Sequence, residues 1–297
     1  MLYEVRHTTA YRYGRPAAFS QHILRLTPRE TDVQAVRLTG LEITPRPDAI
    51  APERDMFGNT AHVATVSRPH ERLEITSVSR IERQAPSQFI FEAGAPWEVV
   101  RDQVLGRGNA PPVPDAAPFA FPSAMTEADD AIEAYARESL EPGKPLLVAA
   151  RDLTTRIFED FEYLPGSTAA DTLPHESFAA QRGVCQDFAH VMLACLRAFR
   201  LPARYVSGYL RTIPPEGQRR LEGADASHAW VSVWDPVLDW VDFDPTNDLL
   251  PGLDHITLSW GRDFQDVSPV SGIVVGAGAQ TLSVGVDVVP VPADAAE

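Results

Sequence analysis

The chain of 297 residues holds two cysteines, Cys185 and Cys195, and the first stands where a reactive thiol can be made. It follows Gly183-Val184 and opens a run in which Phe188, Met192, Cys195, Leu196 and Phe199 recur at helical spacing. Leu201-Pro202 closes that run, as proline does just past a helix end. A thiol in the first turn of a helix meets unpaired backbone N–H groups and the positive end of the dipole, which favour the thiolate. A thiolate is the nucleophile of covalent catalysis. A plain core cysteine is the competing reading, and the residues C-terminal to the helix decide between the two. Cys195 lies ten residues on, about 15 Å along the same helix, too far for a disulfide.

The partners come next. Ala203 to Leu210 reads as a strand, and Pro214-Pro215-Glu216-Gly217 opens a polar loop running to about Gly223. After it comes a hairpin: Ala226 to Trp234, a turn at Asp235-Pro236-Val237, then Leu238 to Asp244, stopped by Pro245. A three-residue loop at 235–237 sets Trp234 opposite Leu238 and His228 opposite Asp244, within reach of a hydrogen bond. Ala229, Val231, Val233, Val237, Val241 and Phe243 then share an apolar face. His228, Ser232, Asp242 and Asp244 share the other, with Trp230 and Trp240 between them, and that face is expected to be a site wall. Asp242 is a rival to Asp244 on parity alone. The set supplies a nucleophile, an imidazole to move its proton and a carboxylate to orient the imidazole. Cys185, His228 and an aspartate could also ligate a metal, but no Cys-x-x-Cys or His-x-x-x-His pair accompanies them. Neither metal nor cofactor is expected.

The remaining elements must position these residues. Acidic residues outnumber basic ones, 41 to 26, a net charge of −15, which argues against nucleic acid and anionic membrane surfaces as partners. Residues 1–20 carry Glu4, Arg6, Arg12 and Arg15 and offer no signal-peptide core, and the uncharged stretch Val267 to Val286 is broken by glycine and proline. The expectation is a cytoplasmic protein that does not enter the membrane. Residues 1–90 alternate in short runs, with Tyr3, Val5, His7, Thr9, Tyr11 and Tyr13 on one parity, and read as a small β-sandwich or barrel. His7, His22 and His62 fall on separate strands and read as hydrogen-bonded core histidines. Residues 91–122 form a proline-rich linker with one short helix at Trp97 to Leu105, and residues 123–297 form the core. Helices are expected at Thr126 to Ser139, Leu146 to Phe161 and His175 to Gln181. Tyr163 reads equally as core or as a hydroxyl presented to the site.

Taken together, the segments GVCQDFAH, ARYVSGYL, GADASHAWVSVW and WVDFDPTN resemble the bacterial transglutaminase-like cysteine protease family. The N-terminal ninety residues resemble its β-rich domain, through Leu26-Thr27-Pro28-Arg29 and Arg54-Asp55-Met56-Phe57-Gly58-Asn59, and the tail matches at Trp260-Gly261-Arg262-Asp263-Phe264. The resemblance implies an α+β protein in which the β domain precedes a papain-like (transglutaminase-like) cysteine-protease core. It implies Cys185 as nucleophile, His228 as base and Asp244 as orienting acid, with Tyr163 and Trp230 as contacts to the oxyanion or substrate. The expected partner is a peptide or protein amide, and the expected chemistry runs through a thioester resolved by water or by an amine. The alternative is a catalytically silent binding module on the same fold. Oligomeric state and substrate identity are not written in these motifs.

Overall fold

The computed structural model describes residues 1–88, 90–109, 111–212 and 225–292. The polar loop expected at Pro214 to Gly223 lies outside the described residues.

The chain begins with six strands: β1 (Leu2–Ala17), β2 (Phe19–Leu24), β3 (Gln34–Thr44), β4 (Ala49–Arg54), β5 (Thr60–Val66) and β6 (His70–Arg83). The alternation of β1 is realised: Tyr3, Val5, His7, Thr9 and Tyr13 are buried, while Glu4 and Arg6 face solvent. The helical part comes next, with α1 (Trp97–Val104), α2 (Asp130–Ser139), α3 (Leu146–Asp160), the two-residue strand β7 (Glu162–Tyr163), α4 (Pro174–Ala180), β8 (Arg182–Gly183) and α5 (Cys185–Ala198). Helix α2 starts at Asp130 because the Asp129 side chain accepts the Ile132 N–H at 2.9 Å, an N-cap. Then come β9 (Ala203–Leu210), β10 (Ala226–Asp235), β11 (Asp239–Phe243), β12 (His255–Gly261), α6 (Phe264–Val267), β13 (Val270–Val275) and β14 (Gln280–Pro290).

Three four-stranded antiparallel sheets result, ordered β14-β1-β6-β3, β13-β2-β5-β4 and β11-β10-β9-β12. The first two pack as a sandwich around Leu24, Leu26, Val66, Leu73 and Ile75. The tail therefore does not belong wholly to the core, contrary to the expected division at residue 123. β14 pairs with β1 and β13 with β2, so the chain returns to supply one edge strand to each sandwich sheet. This return joins the two parts by a shared core, where Tyr3, Ile81, Val286 and Val288 meet Tyr209, Ile256 and Leu258.

Helix α5 is not one-sided. Every residue from Asp187 to Arg197 is buried, as befits a helix packed on all sides. The α2, α3 and α4 helices lie against it, and the sheet formed by β9 and β10 covers another flank. Its C-terminal end is held by Arg197, whose guanidinium donates to the Phe119 and Ala203 carbonyls and to Thr126 Oγ1 at 2.8–3.0 Å.

Strand β12 would be an open sheet edge. Two side-chain amides of the sandwich close it. Gln34 donates to the Thr257 carbonyl at 2.7 Å and accepts from the Thr257 N–H at 2.9 Å, and Asn59 pairs with Trp260 in the same way at 2.8 and 3.0 Å. Asp55 shapes the Asn59 turn, accepting the Phe57 and Asn59 N–H groups at 2.9 Å. His7 is spent structurally, its two ring nitrogens bonded to Thr9 Oγ1 at 2.8 Å and to the Tyr209 hydroxyl at 3.0 Å. Among the described residues no helix is long and apolar enough to cross a membrane.

Candidate active site

The start of α5 is built to hold a thiol. Asp187 is buried and accepts the Val184 N–H at 2.8 Å and the Thr168 hydroxyl at 2.7 Å. The side chain thus folds back to cap the residue before Cys185. Gly183 makes room for it, because a Cβ there would lie 2.7 Å from both Asp187 Cβ and Oδ2. Cys185 itself is half-buried and free. Cys195 is fully buried, its thiol pushed up to about 12 by burial, and takes no part.

His228 on β10 meets this thiol. Its Nε2 lies 2.7 Å from Asp244 Oδ2, so Nδ1 is the nitrogen left to exchange a proton with the nearby Cys185. Burial by itself would lower the imidazole pKa. The hydrogen bond to Asp244, the nearby Cys185 sulfur and the charges of both outweigh burial and push it up to about 10. Asp244, fully buried, is pulled the other way by burial, but the donors around it hold its pKa well below the carboxylate range. His228, His255 and the Asn247 amide converge on Oδ2 at 2.7, 3.1 and 2.7 Å. The Thr246 and Asn247 N–H groups reach Oδ1 at 2.9 and 3.3 Å. The Asp-Pro-Thr-Asn turn is therefore a device for satisfying one buried carboxylate.

The hairpin register differs from the one read off the sequence. Val231 pairs with Phe243, Ser232 with Asp242 and Trp234 with Trp240, so the loop is 236–238 rather than 235–237. Asp235 stays in the strand because its carboxylate accepts the Val237 and Leu238 N–H groups at 2.8 and 3.1 Å and the Ala95 N–H at 2.8 Å. Parity survives this shift by two, but His228 and Asp244 are diagonal rather than opposed. Diagonal positions remain within reach of long side chains.

The polar face of the hairpin is not an open wall either. Ser232 and Asp244 are fully buried, and His255 of β12 reaches Asp244 on that side. Trp230, expected at the substrate, is fully buried behind the imidazoles, its ring 6.1 Å from that of His228 and 5.4 Å from that of His255. Its indole N–H donates to Asp242 Oδ2 at 3.0 Å, which assigns the rival carboxylate a supporting place. Gly208 gives Trp230 its space: a Cβ there would lie 2.4 Å from the ring and 2.2 Å from the Ile256 carbonyl oxygen. Tyr163 is half exposed, packs edge-on to Phe188 at 6.4 Å, and lies close enough to Cys185 that the thiolate charge, after burial, raises its hydroxyl pKa.

His255 was not anticipated. It lies on the edge strand, outside every motif, and only the fold brings it to Asp244. The Gly252 N–H reaches its Nδ1 at 3.4 Å, which leaves Nε2 as the protonated nitrogen facing the carboxylate. The nitrogens of His228 and His255 and an oxygen of Asp244 lie within 4.8 Å of one another, a set that could ligate a metal. The N···O separations of 2.7 and 3.1 Å are those of hydrogen bonds, and tetrahedral ligands about 2.1 Å from zinc would sit about 3.4 Å apart. The residues fit a hydrogen-bonded triad better than a metal centre.

A cysteine at the start of a central helix, facing a His–Asp pair on an antiparallel sheet, defines the papain-like, transglutaminase-like α+β core. Residues 3–82 match the family model of the bacterial transglutaminase-like N-terminal region, and residues 133–245 match that of the transglutaminase-like superfamily. An uncharacterized protein of Mycobacterium tuberculosis is 40% identical over 301 residues, covering 99% of this chain and 94% of its own. The chain belongs to the bacterial transglutaminase-like family. A protein-glutamine gamma-glutamyltransferase of Pseudomonas aeruginosa is 33% identical over 133 residues, 44% of this chain and 19% of that protein. A candidate cysteine protease from Cytophaga hutchinsonii shares the fold, with a TM-score of 0.75 at 20% identity over 98% of this chain and 92% of its own.

Proposed function

We propose that the protein carries out cysteine-dependent chemistry on the amide bond of a peptide or protein. The observation that carries this is His228, buried, bonded to Asp244 at 2.7 Å and close enough to Cys185 that this sulfur helps raise the pKa of the ring. That pairing holds the ring as imidazolium beside a thiolate. The Cys185 sulfur attacks the amide carbonyl, and the oxyanion forms beside the N–H groups at the start of α5. His228 gives its proton to the leaving nitrogen as the C–N bond breaks, leaving a thioester on Cys185. Water then attacks the thioester, His228 takes the water's proton, and the C–S bond breaks to release the acid and the Cys185 sulfur, restoring the starting pair. A primary amine in place of water gives a new amide.

Hydrolysis is the outcome favoured here. Cys185 is half-buried and Tyr163 half exposed, so among the described residues the thiol side is open to water. The test measures ammonia or amine release from glutamine-containing peptides and peptide amides, with and without a primary amine acceptor, in wild type and Cys185→Ala. Release that needs Cys185 supports the reading, and amine incorporation exceeding hydrolysis would reassign the outcome to transfer. Release that is equal in the two proteins, or absent across the panel while both bind peptide equally, would overturn it.

A further inference from the structure

A cavity of about 770 Å³ lies where the sandwich, the linker and the third sheet meet. Cys185, His228 and Tyr163 do not line it, so it is separate from the thiol. Its size is that of a small-molecule site. Arg204, on β9, stands in its wall. The guanidinium is stacked between two indoles, 4.0 Å from the centre of Trp240 and 3.6 Å from that of Trp260. Arg29 of the sandwich closes the stack at 3.5 Å on the same Trp260 ring. Both faces of Arg204 are thus covered, and its Nε is sealed without a partner. The guanidinium makes no hydrogen bond or ion pair with any described residue. What remains open is the in-plane edge with the terminal nitrogens, the edge that pairs two-pronged with a carboxylate.

An immobilised cation with unused donors is costly unless something pairs with it. Asp242 and Asp239 supply charge nearby, but Asp242 is already committed to the Trp230 indole at 3.0 Å. Arg83, also in the wall, is buried, gives one nitrogen to the Gly252 carbonyl at 2.9 Å and keeps an unpartnered Nε. The acidic lining residues have a different place. Glu30, Asp32, Asp115 and Asp239 are all exposed, at the mouth. Positive charge lies deep, Arg204 between aromatic rings and Arg83 in the same wall, with Asp242 beside them, and the other carboxylates of the lining lie at the entrance.

We propose that this cavity binds a short peptide as a zwitterion, its free α-carboxylate on Arg204 between Trp240 and Trp260 and its ammonium group toward the acidic mouth. The placement of charge selects against a simple anion, which would pass four exposed carboxylates at the mouth to reach Arg204 and Arg83 beside Asp242. It also selects against a simple cation, which would leave the guanidinium unpaired. The aromatic walls suit an apolar side chain next to the carboxylate.

The probe is the dipeptide Gly-Phe, titrated calorimetrically into Cys185→Ala so that turnover cannot contribute. Its C-terminal amide lacks the anion and N-acetyl-Gly-Phe lacks the cation. Gly-Phe binds saturably, the amide at least about tenfold more weakly, and the acetylated form in between. Free phenylalanine distinguishes an amino-acid site, by binding as well as the dipeptide, from a peptide site. Arg204→Met abolishes binding and Arg204→Lys weakens it, each checked for folding by its melting temperature. Asp32→Asn and Asp115→Asn, both exposed, weaken Gly-Phe but not its acetylated form. Three results would each overturn the proposal: equal affinity for Gly-Phe and its amide, no saturable binding of Gly-Phe up to about 10 mM, or undiminished binding to folded Arg204→Met.

Discussion

Asp244→Asn is the substitution on which the most structure bears. The side chain keeps its shape and loses its charge, so His228 is left in a buried place with one anion instead of two. The rise of the imidazole from 6.5 to about 10 corresponds to about 5 kcal/mol of preference for the charged ring. Asp244 and Cys185 supply that preference against burial, with the Asp244 hydrogen bond the largest raising influence. Removing it restores the pull of burial, which favours the neutral ring and with it the thiol over the thiolate. Alkylation of Cys185 by iodoacetamide near pH 7 should then slow by about ten- to a hundredfold. The assay has an internal control, because Cys195 is fully buried with its thiol pushed up to about 12. Peptide mapping separates the two. Between about pH 6 and 9 the variant's rate should climb more steeply with pH than that of the wild type. A folded Asp244→Asn protein with the wild-type rate and profile would refute the argument that the carboxylate holds the pair charged.

His255→Phe removes one of the three donors on Asp244 Oδ2, a hydrogen bond to a charged group worth about 1.5–3 kcal/mol. Cys185 reactivity near neutral pH should fall several-fold, with partial rescue by His255→Gln, and an unchanged pH profile in the phenylalanine variant would count against the role. Gly208→Ala forces a Cβ to within 2.4 Å of Trp230, so the melting temperature should drop by an amount equivalent to at least about 2 kcal/mol, and a neutral effect would show that the close approach is not tight. The pH dependence of folding has a definite sign. The stabilisation from a folded His228 pKa of about 10 is complete below the unfolded value of 6.5 and is lost as pH rises through 10. Chemical denaturation at about pH 6, 8 and 10 should show wild type losing its advantage over His228→Gln along that series, and a constant difference would contradict it.

The parts of this design legible in the sequence are those set by local patterns. Helix α5 announces itself by apolar spacing, and Gly183 and Pro202 bracket it. The pairing of His228 with Asp244 was reachable because parity decides which side chains share a face. The register was not, because the choice between loops at 235–237 and 236–238 rests on the Asp235 carboxylate gathering three N–H groups, one of them from the distant Ala95. His255 was invisible for a similar reason: β12 carries it to Asp244 only after pairing with β9 and being sealed by Gln34 and Asn59. Strand β4 escaped because all six of its residues are exposed, so burial leaves no alternation to read. The tail strands misled because pairing partners more than 260 residues apart in β1 and β14 leave no mark on local sequence.

The central claim is that Cys185 becomes acylated with the help of His228. It is tested most directly by treating the protein with p-nitrophenyl acetate, a generic acyl donor, and mapping the product by mass spectrometry. One acetyl group on Cys185, transient unless the reaction is quenched in acid, is the predicted result. It should be absent from Cys185→Ala and strongly reduced in His228→Gln, with Cys195 unlabelled in all three. An acetyl group that forms on Cys185 just as fast in His228→Gln, or no acetylation of Cys185 in wild type, would contradict the account.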